Sequence, residues 1–119
     1  MNLRNRVQLI GNLGNEPMVR QFESGRKIAR FSLATNDVYK ENDKFVKQVQ
    51  WHTIVCWDKV ADIAEKCLET GSEVVIDGSI MQRSYEDKEG KKQYVTEIVA
   101  NSLLCRGHKI NVETIEYRA

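Results

Sequence analysis

Nine aromatic side chains stand among 119 residues, and four of them sit in polar surroundings that a hydrophobic core would not supply. Trp51 lies between Gln50 and His52, and Trp57 stands beside Asp58 and Lys59. Tyr39 and Tyr85 fall where strand-forming sequence gives way to polar, turn-forming residues. Trp51 and Trp57 are six apart, so an unbroken strand presents both on one face. Flat rings in the open beside cations suit unpaired nucleobases, because stacking contributes about 1–3 kcal/mol per base whatever the base. The cations available for phosphates are Arg4, Arg6, Arg20, Lys59, Arg83, Lys91 and Lys92, each contact releasing counterions. Tryptophan is also mostly buried in folded proteins, so residue chemistry alone leaves a core or subunit-interface role for Trp51 and Trp57 equally open.

Other constellations are weaker. Gly11-x-x-Gly14 matches the short loop of a KH domain, but there it joins two helices and here it follows a strand. His52 and Cys56 share parity, yet four residues of strand put them roughly 13 Å apart, beyond the reach of a nucleophile–base pair. There is no Walker A pattern, no paired-carboxylate arrangement and no cluster with metal-ligand spacing. The expectation is a protein without catalytic machinery, metal or cofactor.

The elements that must position these rings are legible from periodicity. Val7–Ile10 reads as a strand ended by the two glycines of Gly11-Asn12-Leu13-Gly14. Lys27–Thr35 is a second, with Ala29, Phe31 and Leu33 on one face. A turn-rich Lys40–Lys44 separates it from a third, Phe45–Trp57, whose length suggests a strand curling round a small barrel. Val60, Ile63, Ala64, Cys67 and Leu68 then form one helical stripe, with Asp58 as the expected N-cap and Gly71 as the expected C′ residue. Strand character resumes at Glu73 and runs toward Tyr85, a charged tip spans Asp87–Lys92, and Tyr94–Val99 is the fifth strand. The fold class is therefore mainly β: a five-stranded Greek-key barrel of OB-fold type, with one helix between strands 3 and 4 and Gly78 placed for a sharp bend.

Composition bounds the rest. The length fits one domain, and 41% hydrophobic with 29% charged residues speaks against disorder. No apolar run is long enough to span a membrane, and the first residues open no signal-peptide core. Three scattered cysteines without a C-x-x-C fit neither a disulfide framework nor zinc, and reduced thiols point to the cytosol. Net charge is only +1, but residues 1–35 carry six bases against two acids. That asymmetry reads either as ordinary mixed surface or as one wall of a basic groove completed by the Lys88–Lys92 segment.

Several ordered segments resemble one family. They are Asn5–Gly14 with Pro17 following, Phe31–Thr35, Trp51-His52, Trp57–Lys59, and Lys66–Gly71 leading into Val74–Gly78. Together they resemble the bacterial single-stranded DNA-binding proteins of the homotetrameric OB-fold type, over roughly the first 105 residues. The resemblance implies a non-catalytic, nucleoid-associated cytoplasmic homotetramer that coats single-stranded DNA in replication, recombination and repair. It implies base stacking at Tyr39, Trp51, Trp57 and Tyr85, phosphate contacts best carried by Arg6, Arg20, Lys59 and Arg83, and subunit contacts at Val7 and Leu9 of the first strand and at His52. Two platforms are tyrosine where the family commonly has tryptophan, and Thr53, Glu69 and Thr70 stand where basic residues are frequent. The expected division is an OB-fold domain over 1–110 and a short extension over 111–119. The family's acidic tail tip, which recruits replication and repair proteins, has no counterpart in Ile115–Ala119, so such partners stay open. Two other readings compete: a dimeric replication-restart interaction module of the same fold, and an RNA-binding OB protein of cold-shock type.

Overall fold

Alternation of apolar and polar residues, broken by buried neighbours at Ile28–Ala29 and Ile54–Cys56, gives this chain its sheet. In the computed structural model, which describes residues 4–106 and 115–118, the elements are β1 (Val7–Leu13), β2 (Met18–Gln21), β3 (Lys27–Glu41), β4 (Lys44–Trp57), α1 (Asp58–Cys67), β5 (Glu73–Glu86), β6 (Lys92–Arg106) and β7 (Ile115–Arg118). The sheet runs β1-β5-β6-β4-β3-β2, and β1 also pairs with β3 through Asn12 and Leu13. That second pairing closes five long strands into the OB-fold barrel. The expected order of three strands, a helix and two strands holds, with two short strands added. β2 extends the sheet beside β3, and β7 lies along Ser102–Cys105 of β6. Four residues of the expected 111–119 extension, Ile115–Arg118, thus form a strand of the sheet, while 107–114 and 119 lie outside the described residues.

Inward-facing Phe31, Leu33, Ile54, Cys56, Ile76, Ile98 and Leu103 are buried around the barrel axis. Helix α1 adds Val60, Ala61, Ala64 and Cys67 to the same core, as its stripe predicts, and Leu68 follows fully buried. Gly78 sits where β6 carries a bulge opposite it. A Cβ there would lie 2.1 Å from the carbonyl oxygen of Val99, so only glycine lets β5 cross so close to β6.

Three local expectations are corrected. β1 does not stop at Gly11 but runs to Leu13. Asp58 is not the N-cap: that place belongs to Trp57, without a side-chain cap bond. The Asp58 carboxylate turns instead to the β2–β3 turn, taking the Lys27 amide at 3.2 Å and the Arg26 guanidinium at 2.9 Å. Gly71 is not the C′ residue either, because the helix ends at Cys67 with Leu68 already extended. Gly71 lies further on, its amide donating to the carbonyl of Leu13.

The two long hairpins carry the candidate site. β3 and β4 pair without a slip from Ile28↔Trp57 to Glu41↔Lys44. Only Asn42 and Asp43 remain to turn, both at positive φ, as the mirror-image two-residue turns of twisted hairpins require. Of the expected loop at 40–44, three residues are therefore strand and two make the turn. At the other tip, Asp87 Oδ1 accepts the amides of Glu89 and Lys91, both at 2.9 Å, and closes the β5–β6 turn.

Candidate nucleic-acid interface

Cross-strand partners share a face of a sheet and adjacent residues do not. Opposite the face that carries Phe31 and Ile54, the registers place Arg20 of β2, Arg30 of β3, Trp51 and Trp57 of β4, Glu97 of β6, and Arg83 and Tyr85 of β5. Three of the four expected platforms thus share one side of the sheet. Tyr39 does not. It falls on the opposite side of the β3–β4 hairpin, facing across to Val46. Tyr39, Trp51 and Tyr85 are exposed, Trp51 most of all at 62%. That face is not open throughout, since Ile28 and Val55 are buried on it.

Trp51 packs against the Gly14 backbone. A Cβ on Gly14 would meet Cζ3 of its indole at 2.5 Å and Cη2 at 2.9 Å, so the missing side chain leaves room for a ring that is otherwise largely exposed. Trp57 is different, half-covered by its neighbours. Phe22 stacks beside it with centroids 6.2 Å apart and planes inclined by 22°. The Arg26 guanidinium lies 4.5 Å from its centroid, and Arg20 stands 5.0 Å from the Phe22 ring. The β2–β3 turn thus sets Phe22 beside Trp57 with a guanidinium against each ring, an attraction that comes from the negative ring face. Asp58 anchors Arg26, and that hydrogen bond, followed by the one from the Lys27 amide, holds the Asp58 carboxyl below its ordinary value.

The expected phosphate cations divide by their partners. Arg6 is paired with Asp77 at 2.6 Å, and Arg83 donates to Glu97 from Nε at 3.1 Å and Nη2 at 3.4 Å. Neither stands as an uncommitted phosphate donor. Glu97 is buried and also bonds Arg30. Burial pushes its carboxyl up, but the Arg83 hydrogen bond and the charge of Arg30 outweigh burial and leave it below the usual carboxylate range. Arg20 leans on Phe22. Lys59 is exposed in the first turn of α1, on the rim of a polar hollow also lined by Gln21, Gly25, Lys27, Asp58 and Asp62. Lys91 lies at the β5–β6 tip, and Lys92 sits 5.7 Å from the Tyr94 ring. Arg4 is exposed ahead of β1.

Of the expected subunit residues, Val7 and Leu9 lie on β1 and His52 on β4. Val7 and Leu9 pack against the barrel's own core, because alternation along β1 turns them inward. The outward side chains are Gln8 and Ile10, the latter 62% exposed. His52 is half-buried, its Nε2 2.9 Å from Thr35 Oγ1.

Sequence reasoning missed Phe22, Arg26, Arg30 and Phe45. The first two needed β2, a four-residue strand behind Pro17 with little apolar signal. For Phe45 a signal was present: Phe45, Trp51 and Trp57 stand at successive six-residue steps along one strand.

The model of the family described as "Single-strand binding protein family" matches residues 4–105. A Single-stranded DNA-binding protein 1 from Chlorobaculum tepidum is 41% identical over 107 residues, covering 88% of this chain and 66% of its own length. Its namesake from Xylella fastidiosa is 37% identical over 107 residues, with 88% and 79% covered. A solved chain from Plasmodium falciparum, described as an SSB complex with ssDNA, superposes with a TM-score of 0.75 at 33% identity, covering 84% of this chain and 90% of that one. With the fold, the aromatic face and a family match over most of its length in agreement, this chain belongs to the single-strand binding protein family.

Proposed function

We propose that this protein binds single-stranded DNA without sequence preference, by stacking bases on aromatic rings and pairing phosphates with cations, and that it acts without chemical turnover. In that role it protects the exposed strand during replication, recombination and repair in the cytoplasm. One observation carries the reading: Trp51, Trp57 and Tyr85 share a face with Arg20, Arg30 and Arg83, and the acids beside them are held by arginines, Glu97 by two and Asp58 by Arg26. Three rings at about 1–3 kcal/mol per base supply roughly 3–9 kcal/mol gross, from which the cost of ordering the strand is subtracted. Trp51 is the open platform. Trp57 takes a base only where Phe22 and Arg26 leave ring exposed, and Tyr39 serves a stretch of strand on the other side of the hairpin.

Arg20, Lys59, Lys91, Lys92 and Arg4 follow the phosphates, while Arg6 and Arg83 exchange a carboxylate for a phosphate. The relative described in complex with ssDNA supports the ligand class. The assembly proposed is a homotetramer. The β1 backbone from Val7 to Ile10 pairs only with β5 among the described residues, so its other edge, with Gln8 and Ile10, offers a two-fold contact. Tryptophan fluorescence titrated with poly-dT at two salt concentrations tests the reading. Stacked indoles quench, and log K falls with log salt at a slope of about −0.7 per phosphate met. Unchanged emission with no salt dependence refutes it.

A further inference from the structure

The β3–β4 hairpin separates its charges by face. One side carries Asn36, Val38 and Lys40 opposite Val49, Lys47 and Phe45, and leads directly to Ala34 and Trp51. Neither strand places an acid on that side of the hairpin, and the acid that reaches it is Asp43 of the turn. The other side carries Asp37, Glu41 and Lys44 along with Tyr39. Phe45 is 79% exposed at the tip, a cost that its own barrel does not repay. Val38 and Val49, at 57% and 46%, continue the apolar line back to Trp51. Among the described residues Lys40 meets only Asp43, at 3.8 Å, a pair both of whose side chains are mostly in solvent, which is worth little.

We infer that Phe45 is a further base-stacking platform and that Lys40 and Lys47 are its phosphate contacts, so that the DNA track runs from Trp51 outward along this one side of the hairpin. The inference rests on the single-stranded DNA reading and deepens it. Charge complementarity and continuity with Trp51 select the ligand: a polyanion with flat bases fits a side that alternates cations with apolar surface. Phe45 and Trp51 are six residues apart on one strand, so roughly 20 Å separates them. At the 3.4 Å step of stacked DNA that gap takes about six nucleotides, and fewer if the strand is stretched.

The test is binding of labelled oligo-dT of graded length to wild type, Phe45→Ser, Phe45→Trp and Lys40→Ala/Lys47→Ala. A tip residue this exposed is replaced without harm to the core. Phe45→Ser weakens long oligomers roughly 5- to 100-fold and leaves those too short to reach from Trp51 to the tip unaffected. Phe45→Trp restores the affinity, and its new indole is quenched only by long oligomers. The double lysine variant flattens the salt dependence for long oligomers alone. Equal affinity of Phe45→Ser and wild type at every length overturns the inference while leaving the Trp51 platform standing. So does a fall in native mass of Phe45→Ser with DNA affinity unchanged, which assigns the ring to a contact between copies. Failure of wild type to bind any length sinks the parent reading instead.

Discussion

Replacing Gly14 by alanine removes a base platform without touching the ring that forms it. The added Cβ lies 2.5 Å from Cζ3 and 2.9 Å from Cη2 of Trp51, where carbon atoms settle near 3.5–4.0 Å. The indole must move by about 1 Å or more. It can do so cheaply, being 62% exposed and free to swing outward. Backbone strain is not involved, since Gly14 is not among the glycines at positive φ, and its amide keeps the 2.9 Å bond to Ser32. Thermal stability is therefore expected to shift little, while affinity for poly-dT falls by up to the ~1–3 kcal/mol that Trp51→Ala costs. The decisive measurement is a double-mutant cycle. If Gly14 acts only through the ring, Gly14→Ala costs nothing once Trp51 is alanine, and the coupling energy equals the single-mutant loss. Additive losses, or wild-type affinity in Gly14→Ala beside a weakened Trp51→Ala, refute the argument.

Two further outcomes follow from charge and burial. The Glu97 carboxyl lies below its ordinary 4.5, so its contribution to stability is present above that pH and disappears as pH falls through the lowered folded-state value. Glu97→Gln should therefore lower the melting temperature at pH 7 and show less loss than wild type between pH 5 and 3. Equal acid limbs in the two melting curves contradict the assignment. The cost at neutral pH is expected below the ~3–5 kcal/mol of a fully buried pair, because both arginines are half in solvent. Burial, and secondarily the neighbouring thiols, pushes Cys56 and Cys105 up to about 12 from an ordinary 9.0. Both should resist alkylation at pH 8 until the protein unfolds, and the stability their neutral form confers is present below pH 9 and declines as pH rises toward 12. Rapid native-state labelling of both refutes this.

What was legible in the sequence was local. Period-two alternation marked Ala29, Phe31 and Leu33 as inward, and the 3.6-residue stripe marked Val60 and Ala64, because each pattern lies within one element. What stayed hidden was pairing. Asp58 looks like a cap in sequence, and only the approach of Arg26, thirty-two residues earlier, turns its carboxylate elsewhere. Arg6 and Arg83 look like phosphate ligands until Asp77 and Glu97 arrive from other strands. The side taken by Tyr39 stayed open for the same reason: with the second strand ended at Thr35, nothing fixed Tyr39 relative to Trp51, whereas the unbroken β3–β4 register puts them on opposite sides.

That register changes how the charge of the chain should be counted. A net +1 predicts no affinity for a polyanion, and even the excess over residues 1–35 is largely spent, since Arg6, Arg26, Lys27 and Arg30 all hold carboxylates. What a DNA strand meets is the charge of one face. There the hairpin contributes Lys47 and Lys40, the latter meeting only the solvent-exposed Asp43 among the described residues, and β2 contributes Arg20 without an ion-pair partner among the described residues. Acids are displaced to the other side at Asp37 and Glu41, or held internally at Glu97. Counterion release responds to the phosphates actually neutralised, not to net charge. A nearly neutral chain of this kind can therefore bind DNA with a salt dependence set by a few residues, and charge reversal at Lys47 should move it more than reversal at Lys44, three residues away on the opposite side.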